Sequence, residues 1–299
     1  MVPMASVDRL LLGFLTAVAA LAVIAVPDPW QLLFGAGTLA ACIVAAARLR
    51  GRSPLWETVH AFIPVPVLGL LINLVGPVIA RANPARWDAL LARLDVRLLG
   101  PLVAAWMGAG GRPAWLTDAA SIAYGLYYLM PVAAGVALWA AGRKTEFDRL
   151  VFSMTVVLLA SYTGYFLAPA SGPRIPDELA VTVLGGGRIS AGLRAFLRTC
   201  ERNELDAFPS GHAAASLVFL AEAWRSFPRL RAAAALAVGA IIFSTVYLSL
   251  HYALDTLAGA ALAALVLLAL PRLRVLCGIE AASPAASRPR PALERPTLT

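Results

Sequence analysis

Three residues in this sequence combine the types and the spacing that chemistry needs. His212 stands in DAFPSGHAAAS (206–216), His251 stands in STVYLSLHYALDTLAG (244–259), and Asp255 follows His251 by four positions. Histidine is the side chain whose ordinary pKa lets it give and take protons near neutrality. Residues four apart on a helix share a face. The spacing predicts that the Asp255 carboxylate holds one nitrogen of His251, leaving the other as a nucleophile or base. Pro209 and Ser210 precede an apolar run, a helix-start signal with Ser210 as the cap. The amide groups of Gly211, His212 and Ala213 would then face outward, and such a helix end attracts anions, phosphate above all. Gly211 lets a ligand approach the backbone, with His212 beside it as a proton donor. Taken singly, PSGH is also an ordinary cap and HYALD also a structural pair at a helix junction. One hairpin of apolar spans separates the two motifs, so they return to the same face.

The elements that must position these residues are membrane spans. The chain has 299 residues, 60% of them hydrophobic and only 14% charged, where a soluble domain has about 25% charged residues. Apolar runs long enough to cross a bilayer fall at roughly 10–26, 31–49, 58–80, 117–141, 149–168, 211–226, 231–249 and 253–270. The fold class is all-α, a polytopic transmembrane bundle of about eight spans. Its expected divisions are a hairpin over 1–57, a membrane-embedded domain over 58–275 and a disordered cytoplasmic tail over 276–299, rich in Ala, Pro, Ser and Arg. The first span follows Arg9 as a signal peptide would, but AVPDPW is a poor cleavage site, so it is read as retained.

The net charge is +8, and Lys144 is the only lysine. With the N-terminus inside, 15 of the 25 basic residues fall on inner segments, as the positive-inside rule expects. This orientation puts His212 and His251 on the extracytoplasmic face of a cell membrane. The arginines form no basic stripe interleaved with aromatics, so nucleic acid is not the expected partner. Cys42, Cys200 and Cys277 have no paired spacing. No metal-ligand cluster is visible and no cofactor is called for.

Two long outer loops remain. Residues 81–116 carry Leu and Val at helical spacing with Arg86, Asp88, Arg93, Asp95 and Arg97 between them, the pattern of an interfacial helix or of one packed on the bundle. Residues 169–209 lead directly into PSGH, and a structureless loop of that length is commonly functional. Tyr124, Tyr127 and Tyr128 read as packing or interface anchors, or as the wall of a lipid groove. His60 reads as a packing or helix-end contact. Glu222 and Arg225, three apart, read as a pair at the inner end of their span.

These motifs resemble the type 2 phosphatidic acid phosphatase superfamily. Its second motif, PSGH, is present at 209–212. Its third, SRxxxxxHxxxD, is matched by Ser244, His251 and Asp255, and Gly259 continues it. The third motif's arginine position holds Thr245, and the first motif, KxxxxxxRP, is absent, with Arg174 in PASGPR as the nearest candidate. YFLAPASGPR, FPSGH and VYLSLHYALD are more similar to the inositol phosphorylceramide synthase-like and sphingomyelin synthase-like branch. The resemblance implies a six-helix phosphatase-like core acting on a lipid phosphate or phospholipid. It implies that His251, held by Asp255, forms a phosphohistidine and that His212 protonates the leaving alcohol and deprotonates the acceptor. Arg174, Ser210, Gly211, Ser244 and Asp206 would bind substrate or acceptor, with Arg194, Arg198 or Arg202 assisting. The acceptor is an alcohol in a headgroup transferase of the inositolphosphoryl type and water in a lipid phosphatase. A non-catalytic scaffold on the same fold is the third reading. A soluble haloperoxidase with the same motifs is excluded by the spans.

Overall fold

The computed structural model of the chain describes residues 5–107, 112–175 and 183–277. Among these residues there are eleven α-helices and no strand: α1 Ser6–Ala25, α2 Trp30–Leu49, α3 Pro54–Phe62, α4 Pro64–Ala82, α5 Asp88–Met107, α6 Ala114–Ala140, α7 Lys144–Leu167, α8 Arg188–Cys200, α9 Gly211–Ser226, α10 Arg231–Tyr247 and α11 Ala253–Leu276. The tail expected to be disordered lies outside the described residues, except that Leu276 ends α11 and Cys277 caps it.

Among the described residues seven helical segments are long and apolar enough to cross a membrane: α1, α2, α3 with α4, α6, α7, α10 with the turn before it, and α11. The chain is a polytopic helical bundle. The span expected at 58–80 is broken at Ile63, because Pro64 brings no N–H to the helical ladder. The remaining expected span, 211–226, is α9. At 16 residues it measures roughly 24 Å, short of the roughly 30 Å hydrocarbon core. Protein rather than lipid surrounds it, since it packs on α7, α10 and α11 and Ala213, Ala214, Ala215 and Val218 are fully buried. Small residues let its neighbours approach. A side chain at Gly259 on α11 would overlap the Ser210 carbonyl oxygen at the head of α9. On the outside of the bundle Trp30, Phe34, Leu236 and Leu268 are exposed, the surface a lipid-facing helix presents.

One core cluster joins α1, α2, α4 and α7 through Leu11, Ile43, Leu71 and Leu159. A second joins α7, α9 and α11 through Phe152, Ala214, Val218 and Ala263. The expected Glu222–Arg225 pair is present at 3.9 Å with Arg225 exposed, and the buried Glu222 has closer partners in Arg149 (2.7 Å) and Arg274 (2.6 Å). His60 contacts the buried Asp8 at 3.0 Å.

Both long loops contain a helix. Within 169–209, α8 is amphipathic, with Ile189, Leu193, Phe196 and Leu197 at helical spacing. Its start is held to α6 by Asp118, which accepts the amides of Gly187 and Ser190 at 2.9 Å each. Within 81–116, α5 is pinned to the bundle. Asp88 accepts the amides of Ser171 and Gly172, and Asp95 accepts that of Leu254 at the start of α11. α5 also exposes Val96 and Leu98, so the helix is both packed and surface-lying.

Candidate active site

The site forms where α9 and α11 begin and α10 ends. Ser210 caps α9, its hydroxyl accepting the Ala213 amide at 3.3 Å. Its own amide donates to the Asp255 carbonyl at 3.0 Å, which ties PSGH to HYALD through the backbone. His251 lies in the turn between α10 and α11, where its amide donates to the Thr245 carbonyl at 3.1 Å. Ser249 in that turn takes a left-handed φ of 57°. The turn is held by Arg112, which bonds the Tyr247 carbonyl and, at 3.2 Å, the Ser249 hydroxyl. Burial lowers the pKa of the Arg112 guanidinium.

The two histidines face each other. His251 Nε2 lies 3.4 Å from His212 Nδ1, with ring centroids 5.5 Å apart. The expectation that His251 and Asp255 share a helical face is corrected. Tyr252 is the cap of α11, so His251 precedes the helix and Asp255 lies in its first turn. His251 Nδ1 makes its closest bond to the Ala207 carbonyl, at 2.9 Å. Asp255 Oδ2 is 3.6 Å from the same nitrogen and accepts the Tyr252 amide at 2.8 Å. A carbonyl can only accept, so Nδ1 carries the proton and Nε2 carries the lone pair. Asp255 is fully buried and its Oδ1 has no partner among the described residues.

The remaining expected residues divide. Arg174 pairs with Asp206 at 2.6 Å, and both line the polar cavity described below. Gly211 lines the apolar one. A side chain at Gly211 would overlap the Tyr165 hydroxyl, so its bareness admits Tyr165. Ser210 and Ser244 are corrected as substrate contacts. Both are fully buried, and their hydroxyls serve the backbone, Ser210 as the cap and Ser244 donating to the Ile241 carbonyl at 2.6 Å. Thr245, at the arginine position of the third motif, is likewise buried and donates to the Ile242 carbonyl.

The sequence singled out Tyr124, Tyr127 and Tyr128 without linking them to His212, and did not single out Glu201. The Tyr124 hydroxyl is 2.6 Å from His212 Nε2. The Tyr127 ring lies 4.2 Å from the imidazole, centroid to centroid. The Tyr128 hydroxyl donates to Glu201 at 2.5 Å, and Glu201 is 4.0 Å from His212 Nε2. Burial, reinforced by the nearby Asp206 charge, pushes Glu201 up to about 7. Burial also raises Asp206, against the pull of Arg174. Among the described residues no group of three His, Cys, Asp or Glu side chains could hold a metal ion.

Two cavities meet at His212. The first, of about 290 Å³, is apolar and runs between α4 and α6 along α7. The second, of about 550 Å³, lies under α8 and is lined by Arg174, Arg194, Arg198, Glu201, Asp206 and His251 among others. A pair of imidazoles between an apolar and a cation-lined cavity is suited to a phosphorus atom that carries a hydrocarbon chain.

The family model described as the PAP2 superfamily matches residues 90–269. The chain belongs to the PAP2 superfamily. The match covers well over half of the chain and includes both histidines, Asp255, Tyr124 and Glu201. No curated protein and no solved structure matches the chain. As a PAP2 superfamily member, the chain has a function of the lipid phosphatase or phosphotransferase type.

Proposed function

We infer that this chain is an integral membrane enzyme that moves a phospho-headgroup, of the inositolphosphoryl kind, between lipids through a phosphohistidine on His251. The observation that carries this reading is the junction of the two cavities at His212. A phosphodiester lipid has a chain on one side of its phosphorus and a polar group on the other. With phosphorus between the imidazoles, the chain enters the apolar cavity and the headgroup enters the arginine-lined one. A simple lipid phosphate would leave about 550 Å³ of polar space to water. The buried Thr245 and the distant Lys144, paired with Glu57, fit the transferase branch better than the full hydrolase pattern.

The lone pair on His251 Nε2 attacks phosphorus, and the P–O bond to the leaving lipid alcohol breaks. His212, protonated on both nitrogens when the donor binds, gives its Nδ1 proton to the departing oxygen and is left neutral. Tyr124, whose hydroxyl oxygen accepts from His212 Nε2–H, orients the ring so that Nδ1 faces His251. Asp255, 3.6 Å from His251 Nδ1, balances the charge of the phosphohistidine. An acceptor alcohol then gives its proton to His212 and attacks phosphorus, the P–N bond breaks, and both rings return to their first state. Proton transfer of this kind contributes roughly 10²–10⁴-fold. Positioning and charge stabilisation supply the rest. Arg143, Lys144, Arg149, Arg229 and Arg231 lie at the opposite ends of the site helices. The positive-inside rule then puts the site on the extracytoplasmic face of the cell membrane.

Purified protein in vesicles, given a donor phospholipid labelled at phosphorus with and without a lipid alcohol, tests this. Label that is stable to alkali and labile to acid is expected on the wild type and absent from His251→Gln, with product only when the acceptor is present. Free phosphate formed without an acceptor makes the enzyme a lipid phosphatase. Neither label nor turnover makes it a scaffold.

A further inference from the structure

The apolar cavity is longer than its access to phosphorus requires. On α7 it is lined by Phe147, Leu150, Met154, Leu158, Tyr162 and Tyr165, one continuous stripe at helical spacing. From Phe147 to Tyr165 that stripe covers roughly 27 Å at 1.5 Å per residue. A hydrocarbon core is roughly 30 Å thick, so the cavity passes the midplane and nearly reaches the far leaflet's edge. Its upper end is His212 and Gly211. Its lower end is closed by an aromatic floor, in which the Phe62 and Phe147 rings meet at 5.1 Å and Trp139 packs on both at 6.1 and 5.0 Å. Gly135 on α6 faces both phenylalanine rings, and a methyl there would make ordinary contact with Phe147 at 3.5 Å and Phe62 at 3.6 Å. The charged features all lie at the histidine end, and Thr155 farther down gives its hydroxyl to the Val151 carbonyl, so the lower part has little to recognise except hydrocarbon.

We propose that this cavity holds the chain of the reacting lipid along its full length, and that the Phe62–Trp139–Phe147 floor sets the preferred chain length. The occupant is a lipid whose chain is longer than one leaflet is deep, either polyisoprenoid or very-long-chain acyl. A chain of one leaflet's depth leaves the lower half of the cavity unfilled and forgoes that contact. The inference rests on the reading of His212 and His251 as the place of the phosphorus, but its test does not depend on turnover.

Val65 on α4 lines the cavity about two turns below the level of Asn73 and Cys200, and its side chain is 45% exposed, so Val65→Trp narrows the passage without opening the core. Donors with short acyl, very-long acyl and polyisoprenoid chains are compared in wild type and Val65→Trp. The wild type is expected to favour one of the long chains. Val65→Trp is expected to lower kcat/KM for that chain by roughly tenfold or more, the scale of pocket discrimination against added methylenes, and to leave the short-chain donor unchanged. Equal losses for all chains, or none, overturn the proposal. Independently, lipid phosphates carrying a photoreactive group at the far end of the chain are cross-linked to the His251→Gln protein. Long probes are expected to mark peptides containing Phe62 or Phe147, and short ones to mark the Tyr127–Tyr162 level. Labelling of the floor by a headgroup-free hydrocarbon probe alone would show bulk bilayer lipid in the cavity and sink the proposal. Correct cross-links without turnover on any donor would sink the enzymatic reading and leave the chain-length reading intact.

Discussion

The two ends of α9 hold charge in opposite ways. At one end Glu222 is 1% exposed and accepts from Arg149 at 2.7 Å, Arg274 at 2.6 Å and Ser153 at 3.0 Å. One carboxylate there ties α7, α9 and α11 together. At the other end, roughly 15 Å away along the helix, the groups are mismatched. Asp206 has Arg174, Glu201 has only a tyrosine as its close partner, Asp255 has an unpartnered oxygen, and two imidazoles face across 3.4 Å. Both cavities open there and neither reaches Glu222. A satisfied buried network specifies structure, whereas polar groups left short of partners beside a cavity mark where a substrate completes the set.

The contrast can be broken at either end. The largest effect is expected at the histidines. His251→Gln should lower turnover on the order of 10⁴-fold or more, the scale of losing a covalent nucleophile, with thermal stability in detergent little changed. Loss of the fold instead would make the histidine end structural. Glu222→Gln should do the reverse. It leaves two arginines facing a neutral group in a buried setting, and breaking a buried pair costs about 3–5 kcal/mol. Thermal unfolding should fall steeply, while the protein that remains folded keeps its kcat. A Glu222→Gln protein of normal stability and low kcat would erase the distinction.

How much of this was legible in the sequence follows from what each feature is made of. The spans could be read because apolar length is local, and PSGH and HYALD because their residue types are rare in such a chain. The α8 helix was hidden by its arginines, although Ile189, Leu193, Phe196 and Leu197 carried the helical period. Asp88 and Asp95 showed an interfacial pattern, but the amides they accept lie far along the chain. Tyr124 and Glu201 meet His212 only through the packing of α6 and α8. The Ala207 carbonyl that holds His251 has no signature at all, because every residue has one. The expected Asp255 contact with His251 Nδ1 is present at 3.6 Å, but the closer carbonyl beside it could not be read.

Tyr124 gives a smaller and sharper test of the histidine end. Its hydroxyl touches His212 and not His251, so Tyr124→Phe should impair proton transfer while still allowing the phosphohistidine to form. A hydrogen bond to a group that becomes charged contributes about 1.5–3 kcal/mol, which corresponds to roughly 10–100-fold in kcat. A change in KM alone would make the tyrosine a wall of the lipid cavity and no more.

The smallest expected effect is on pH. Glu201 lies outside the spanning helices and is pushed up to about 7 by burial and by Asp206. Below that pH it is neutral. Above it, a second negative charge stands 4.0 Å from His212 and repels an anionic donor. The expected result is a fall of a few fold in kcat/KM as pH rises through about 7, which Glu201→Gln removes. Stability should move with the same sign. The native protein keeps on Glu201 a proton that the unfolded chain gives up near 4.5, so between 4.5 and about 7 rising pH favours unfolding. Glu201→Gln should flatten that slope in thermal unfolding measured across the interval. If the slope survived in Glu201→Gln, the proton held by the native protein would lie on another group.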